Sequence, residues 1–206
     1  QRRNYSQVAK QILTGSSIFD SFQKLRRDAN VGKDNWNWFR NTVNQNIKAS
    51  DRNQIRDMVA SDPVRKRSRL FVGQLYCFFY NQPEYRTTLP FYDTFPLVLM
   101  LSRDKDTFFG INFHYIPPKR RLQMFLLLQQ YRQGNRILLP YGTMKRVSKW
   151  KIFKSCFRRY KTSLITGNLI NIPADDWPIA INLPVERFKK SSKSAIWDNT
   201  LREERN

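Results

Sequence analysis

Between residues 16 and 47 the apolar positions recur at spacings of three and four. Ile18, Phe19, Phe22 and Leu25 follow the pair Ser16 and Ser17, and Trp36, Phe39, Val43 and Ile47 follow Asp34. That spacing lays one buried stripe along each helix, and a Ser or Asp ahead of it can accept from the first free backbone N–H groups. Two amino-terminal helices are therefore predicted. A third, shorter one carries Asp51, Arg52 and Arg56 and ends before Pro63, because the residue ahead of a proline is held out of the helical region. All three are expected to pack against the rest of the chain or a neighbouring subunit.

The sharpest break in composition is SDPVRKRSR, residues 61–69, and beyond it the period changes. GQLYCFFY (73–80) and FPLVLML (95–101) are short, aromatic or β-branched, and bounded by Gly, Pro and Asp, which suits strands. SRDKD (102–106) reads as a hairpin turn into FFGINFHY. Alternation there sets Phe109, Ile111, Phe113 and Tyr115 on one face and Phe108, Gly110, Asn112 and His114 on the other, in a strand ending at Pro117. Pro118 suits the first turn of a helix carrying Leu122, Phe125, Leu126 and Tyr131. KRVSKWKIFKSCFRRYK (145–161) reads as a further helix with the stripe Val147, Trp150, Phe153, Phe157 and Tyr160. NLINIP (168–173) reads as a strand, Asp175 and Asp176 as a turn or cap before a further strand or short helix, and the final residues as an extended or helical arm. The expected fold class is α+β: amino-terminal helices, then a small twisted antiparallel sheet or barrel with inserted helices. The expected division is a helical region at 1–62, an α+β core domain at 63–190 and a carboxy-terminal arm at 191–206.

Charge changes this picture more than any motif does. The chain of 206 residues carries 37 Lys and Arg against 16 Asp and Glu, a formal +21, which a compact fold bears only against self-repulsion. A polyanionic partner is implied: nucleic acid first, then an anionic membrane surface, then an acidic protein. The longest apolar run, 95–101, contains Pro96 and falls far short of the ~20 residues of a spanning helix. QRRNYSQVAK lacks the apolar middle of a signal peptide, so a cytoplasm-like setting is expected. Cys77 and Cys156 sit in apolar segments and are expected to be buried, reduced thiols.

The bases fall into clusters. Lys119, Arg120 and Arg121 crowd the amino end of the helix opened by Pro118, where the helix already presents partial positive charge. An anion there would relieve the conflict, and so would solvation or pairing with Asp104, Asp106 or an acidic partner. The 145–161 run has eight bases and no acid. Read as a helix, it projects Lys151, Lys154, Arg158 and Lys161 from one side, where like charges repel unless a polyanion offsets them. Candidate DNA contacts are these seven together with Lys145, Arg146, Lys149 and Arg159 from the same run, and Arg65, Lys66, Arg67, Arg69, Lys189 and Lys190. The single His114, on the less apolar strand face, is expected to be structural, with one ring nitrogen hydrogen-bonded to a neighbour.

Enzyme chemistry finds little support. One histidine and two distant cysteines cannot make the usual zinc or multi-histidine sites, and the seven glycines form no phosphate-binding loop. For a metal-dependent nuclease, Asp175, Asp176 and Glu186 with Lys189 come nearest, but Lys189 follows Glu186 by three positions and would leave the alternating face of a strand. No metal or cofactor is expected. Phe78, Phe79, Tyr80, Phe91 and Tyr92 could stack on exposed bases, although aromatics at strand spacing more often build a core.

The runs GQLYCFFYNQPEYRTTLPFYDTFPLVLML, FFGINFHYIPPKRR and LPVERFKKSSK, spanning about Phe71 to Lys193, resemble a family of small virion proteins of T4-like contractile-tailed bacteriophages, most of all the DNA end protector (head-completion) family. Gly110, Asn112, His114 and Tyr115 match the G-x-N-x-H-Y segment of that pattern. The resemblance implies a structural, non-enzymatic particle component, made in the host bacterial cytoplasm and carried in the virion. Its partners would be double-stranded DNA, held by its backbone, and other virion proteins of the head–tail region or tail in a symmetric assembly, with no membrane. The alternative is a neck, tail or baseplate-hub adaptor docked on an acidic protein surface.

Overall fold

A computed structural model of the chain describes residues 52–61, 65–67, 69–147 and 151–205. The two helices expected from Ser16 and Asp34 lie outside the described residues. The third is present as α1, Arg52–Ser61, with Ile55 and Val59 buried one turn apart.

Beyond α1 come β1 (Lys66–Arg67) and β2 (Leu75–Tyr80), then a helical turn α2 (Tyr85–Thr88), β3 (Tyr92–Asp93), β4 (Leu97–Arg103) and β5 (Thr107–Asn112). Helix α3 (Pro118–Gln129) leads to the hairpin β6 (Arg132–Gln133) and β7 (Arg136–Ile137), followed by α4 (Tyr141–Val147) and α5 (Lys151–Lys154). The chain returns through β8 (Phe157–Lys161), β9 (Ile165–Ile172), α6 (Trp177–Ala180) and β10 (Phe188–Lys189) to a closing helix α7 (Lys193–Arg205). One antiparallel sheet runs β1-β9-β2-β4-β5-β8. The expected α+β architecture is thus present, as an open sheet and not as a closed barrel.

Both faces of the sheet are covered, which is why β2 and β4 read as unbroken apolar runs. On β2, Leu75 and Cys77 face the helices, in a core with Ile55, Leu97, Leu99, Met124, Phe125, Phe153 and Trp177. Tyr76, Phe78 and Tyr80 face the other way, into a second core with Val98, Met100, Phe108 and Tyr160. Along the sheet β2 and β8 are three strand spacings apart, about 14 Å if it were flat. Yet the rings of Tyr80 and Tyr160 lie 5.0 Å apart, those of Phe78 and Tyr160 5.4 Å, and the Lys161 N–H donates to the Tyr80 hydroxyl at 2.9 Å. The sheet is therefore curled around its aromatic core. β8 passes into β9 through a single 3-10 turn, Thr162–Leu164, but the two strands are not ladder neighbours.

The 145–161 segment corrects a sequence expectation. It is not one helix: α4 ends at Val147, α5 is one turn, and 157–161 pairs with β5 in the register Ile111↔Phe157 and Phe108↔Tyr160. A spacing of three puts two residues on the same face of a helix but on opposite faces of a strand. Here Phe157 packs on the helix-covered core and Tyr160 on the aromatic one, so burial on two sides outweighs helical periodicity. The β5 strand likewise stops at Asn112, and Phe113–Tyr115 forms a 3-10 turn. In α3, Phe125 is buried with Met124 and Leu128, whereas Leu126, expected inside, is exposed.

Candidate nucleic-acid interface

Residues 110–115 form a buried polar knot. The Asp93 carboxylate accepts from His114 Nδ1 at 2.7 Å, from Asn112 Nδ2 at 3.2 Å, and from the backbone N–H groups of Phe95 and Arg187 at 3.0 and 3.2 Å. Asn112 Nδ2 also donates to the Tyr160 hydroxyl, and its Oδ1 accepts from the His114 N–H. Burial alone would raise the Asp93 carboxyl, but the neighbouring His114 and the hydrogen bonds outweigh it and hold it below its ordinary value. Gly110 is required because a Cβ there would collide with Val98 Cγ1 and lie 2.6 Å from Leu99 O. His114, 0% exposed, is thus a tie between the strand end and Asp93. Asp93, the hub, carried no sequence signal, since a lone acid in a loop reads as solvated.

Arg121 belongs to the same interior. It is 1% exposed and donates to the carbonyls of Ile116 at 2.7 Å, Ile181 at 3.3 Å and His114 at 3.4 Å. Its guanidinium stands 3.7 Å from the Glu186 carboxylate and over the Trp197 ring. Arg65, also buried, pairs with Asp176 at 2.6 Å. Neither is placed to reach a phosphate, so both leave the set of candidate DNA contacts. In each case a carboxylate far along the chain faces the base, Glu186 for Arg121 and Asp176 for Arg65. Arg120, at the surface, pairs with Glu204 at 3.4 Å.

Two of the three carboxylates considered for metal chemistry, Asp176 and Glu186, are committed elsewhere, and Asp175 is exposed. Asp176 holds Arg65, and Glu186 is held by Arg121 and by Lys193 at 3.3 Å. These neighbours, together with His114, overcome burial and keep the Glu186 carboxyl below its ordinary value. Phe78 and Tyr80 are core residues, and Phe79, Phe91 and Tyr92 are half-buried.

The remaining bases divide by place. Lys66 is exposed on β1, and Arg69 follows it. Lys145 and Lys154 are exposed on α4 and α5. For Lys119, Arg146, Lys151 and Arg67 only the backbone is described, and Lys149 lies outside the described residues. The expected row of Lys151, Lys154, Arg158 and Lys161 does not form, since its second half is a strand. Arg158 lies half-buried over the Tyr115 ring at 4.2 Å.

A different grouping takes its place around the edge strand β8. Arg159 and Lys161 are exposed on it, and Arg159 stacks over the exposed Phe109 at 5.4 Å. The α2 turn caps the edge, the Tyr85 hydroxyl donating to Arg159 O, and it brings exposed Arg86 alongside. Lys190 Nζ donates to Leu89 O at 2.7 Å and to Arg86 O at 3.3 Å, locking β10 to α2. Lys190 is held at φ 69°, a left-handed conformation that is costly for a side chain of this kind. Lys189 pairs across from Tyr92, whose ring lies 6.0 Å from that of Tyr85. Glu84 is the acid at this rim that the ion pairs identify, 3.9 Å from Lys161 with both side chains mostly in water. Arg86 was not legible as a site residue, because a single base in a loop carries no pattern.

The family model described as Phage T4 terminal DNA protecting protein matches residues 16–200. No curated protein and no solved structure matches the chain. The matched span takes in the polar knot, both cores and the basic rim around β8, and on that match the chain belongs to the phage T4 terminal DNA protecting protein family.

Proposed function

We propose that this protein binds the backbone of double-stranded DNA at or near its end without reading sequence, as a structural, non-catalytic component that completes the head of a phage particle. The observation that carries this reading is the group of exposed bases around β8, Arg159 and Lys161 with Arg86 and Lys189, in a chain of formal charge +21 and in a family named for protecting DNA termini. Phosphates answer such a surface because each one neutralised releases condensed counterions. Contacts to phosphates fix position without reading base edges, so the reading is of backbone. The setting is the virion, after synthesis in the host bacterial cytoplasm, beside other virion proteins of the head–tail region and as part of a symmetric assembly.

The test is a salt titration of DNA affinity. Replacing Arg86, Arg159, Lys161 and Lys189 by Gln should weaken binding to all sequences alike and flatten the log-log salt slope by ~3.6 units if all four contact phosphate. A variant with the parent's affinity and slope removes this rim from the DNA interface. A parent without DNA affinity, whose variant fails to enter particles, would instead identify an adaptor on an acidic protein surface.

A further inference from the structure

The ladder between β2 and β9 is broken at one point. Cys77 lies opposite Ile170 and Phe79 opposite Thr166, so a single residue on β2 faces three on β9, residues 167–169. Gly167 supplies the turn with φ 75°, where a side chain would be strained. The bulge carries Gly167 and Asn168 into solvent and opens a cleft of about 560 Å³ beside the Thr162–Leu164 turn. Bulges of this kind gather at binding sites because they re-aim side chains that a regular ladder would point elsewhere.

The lining combines two chemistries. Lys66 of β1 and Arg103 at the end of β4 bring positive charge, and no acid lines the cleft among the described residues. Arg103 is anchored by a bond from Nη1 to Leu70 O at 3.3 Å, leaving its remaining N–H groups as donors. Leu70, Ile165 and Leu169 add apolar lining, and Asn168 and Thr162 polar lining, the Thr162 hydroxyl donating to Asp106 O at 3.1 Å. The volume falls in the range of small-molecule sites, about 300–1,000 Å³.

We infer that the cleft takes the terminal nucleotide of a DNA strand, frayed or overhanging from the duplex end. The phosphate lies by Arg103 and Lys66, the base lies against Ile165 and Leu169, and the Asn168 amide meets the base edge. This rests on the DNA-end reading above and adds what that reading lacks, a means of telling an end from an interior. Backbone contact around β8 treats all duplex alike, whereas a site for one unpaired nucleotide is filled only where a strand stops.

The experiment measures affinity for a linear duplex with a short single-stranded overhang and for a covalently closed circle of the same sequence. The parent should prefer the open end by about tenfold, the worth of one charge-assisted contact. Arg103→Gln, and separately Asn168→Trp, which fills the cleft without removing charge, should abolish that preference and leave affinity for the circle unchanged. Thermal midpoints check that both variants fold, and if Asn168→Trp does not, Arg103→Gln decides. Variants that keep the preference overturn the cleft. A parent that binds the circle as well as the open end overturns it too, with backbone binding intact. A parent that binds neither DNA sinks the proposed function, and the cleft with it.

Discussion

Replacing Asp93 by Asn changes one atom of the polar knot. Oδ1 can still accept from the Phe95 and Arg187 N–H groups. The atom at the Oδ2 position becomes an NH2 that faces two donors, His114 Nδ1 and Asn112 Nδ2. The imidazole can adapt by moving its proton to Nε2, a buried atom without a partner among the described residues. The Asn112 amide is fixed by Tyr160 and by the His114 N–H and cannot adapt. One charge-assisted bond is lost, ~1.5–3 kcal/mol, and two buried N–H groups, on Asn112 Nδ2 and on the re-protonated His114 Nε2, are left without a partner, each ~1–3 kcal/mol, so the expected cost is at least ~3–5 kcal/mol at pH 7. In a chain of this length that lowers the thermal midpoint by ~6–20 °C. The assay is urea and thermal unfolding of both proteins across pH. Because the folded Asp93 lies below its unfolded value, its contribution is complete above the unfolded pKa of ~3.9 and is lost as pH falls through the folded value. The gap between parent and variant should therefore narrow only below about pH 4. Equal stability at pH 7, or a gap that is constant from neutral to strongly acid solution, refutes the reasoning.

Two further outcomes follow from the packing. Gly110→Ala should cost more than the ~1–3 kcal/mol of ordinary overpacking, since the new methyl meets the Leu99 carbonyl as well as Val98; unfolding close to the parent's would show that β4 and β5 separate easily there. Cys77 and Cys156 are buried and not joined in a disulfide, with burial pushing both thiols up, so a thiol reagent at neutral pH should label neither in the native protein and both in denaturant. Rapid native labelling of one would place it in a segment that opens.

What the sequence made legible was whatever is local. β2, β4 and the hairpin at 102–106 are announced by apolar runs with Gly, Pro and Asp at their ends, and α3 by Pro118 at its first turn. His114 was legible as structural, because a lone polar residue among aromatics has to be satisfied from nearby. The curl of the sheet was not legible: it depends on Tyr160 meeting Phe78 and Tyr80 across two intervening strands. Nor were the buried bases. Arg65 finds Asp176 at a separation of 111 residues, and a run such as RKRSR gives no sign of which member turns inward. The basic rim was half legible. Arg159, Lys161 and Lys189 stood out by charge density, but their neighbourhood is set by α2 and β10, which no spacing links.

The edge strand β8 bears on how such molecules sit side by side. By antiparallel alternation its residues 157, 159 and 161 turn their backbone groups away from β5. Phe157 O accepts from the Arg158 guanidinium, Arg159 O accepts from Tyr85, and the Lys161 N–H is taken by Tyr80. An exposed edge is a template on which another strand can grow. Here a second strand would have to displace two phenols and a guanidinium to zip on, and another copy of β8 would bring three bases against three. Crowding many copies together therefore does not invite fibrous aggregation along this edge, and any neighbour that meets it has to meet side chains.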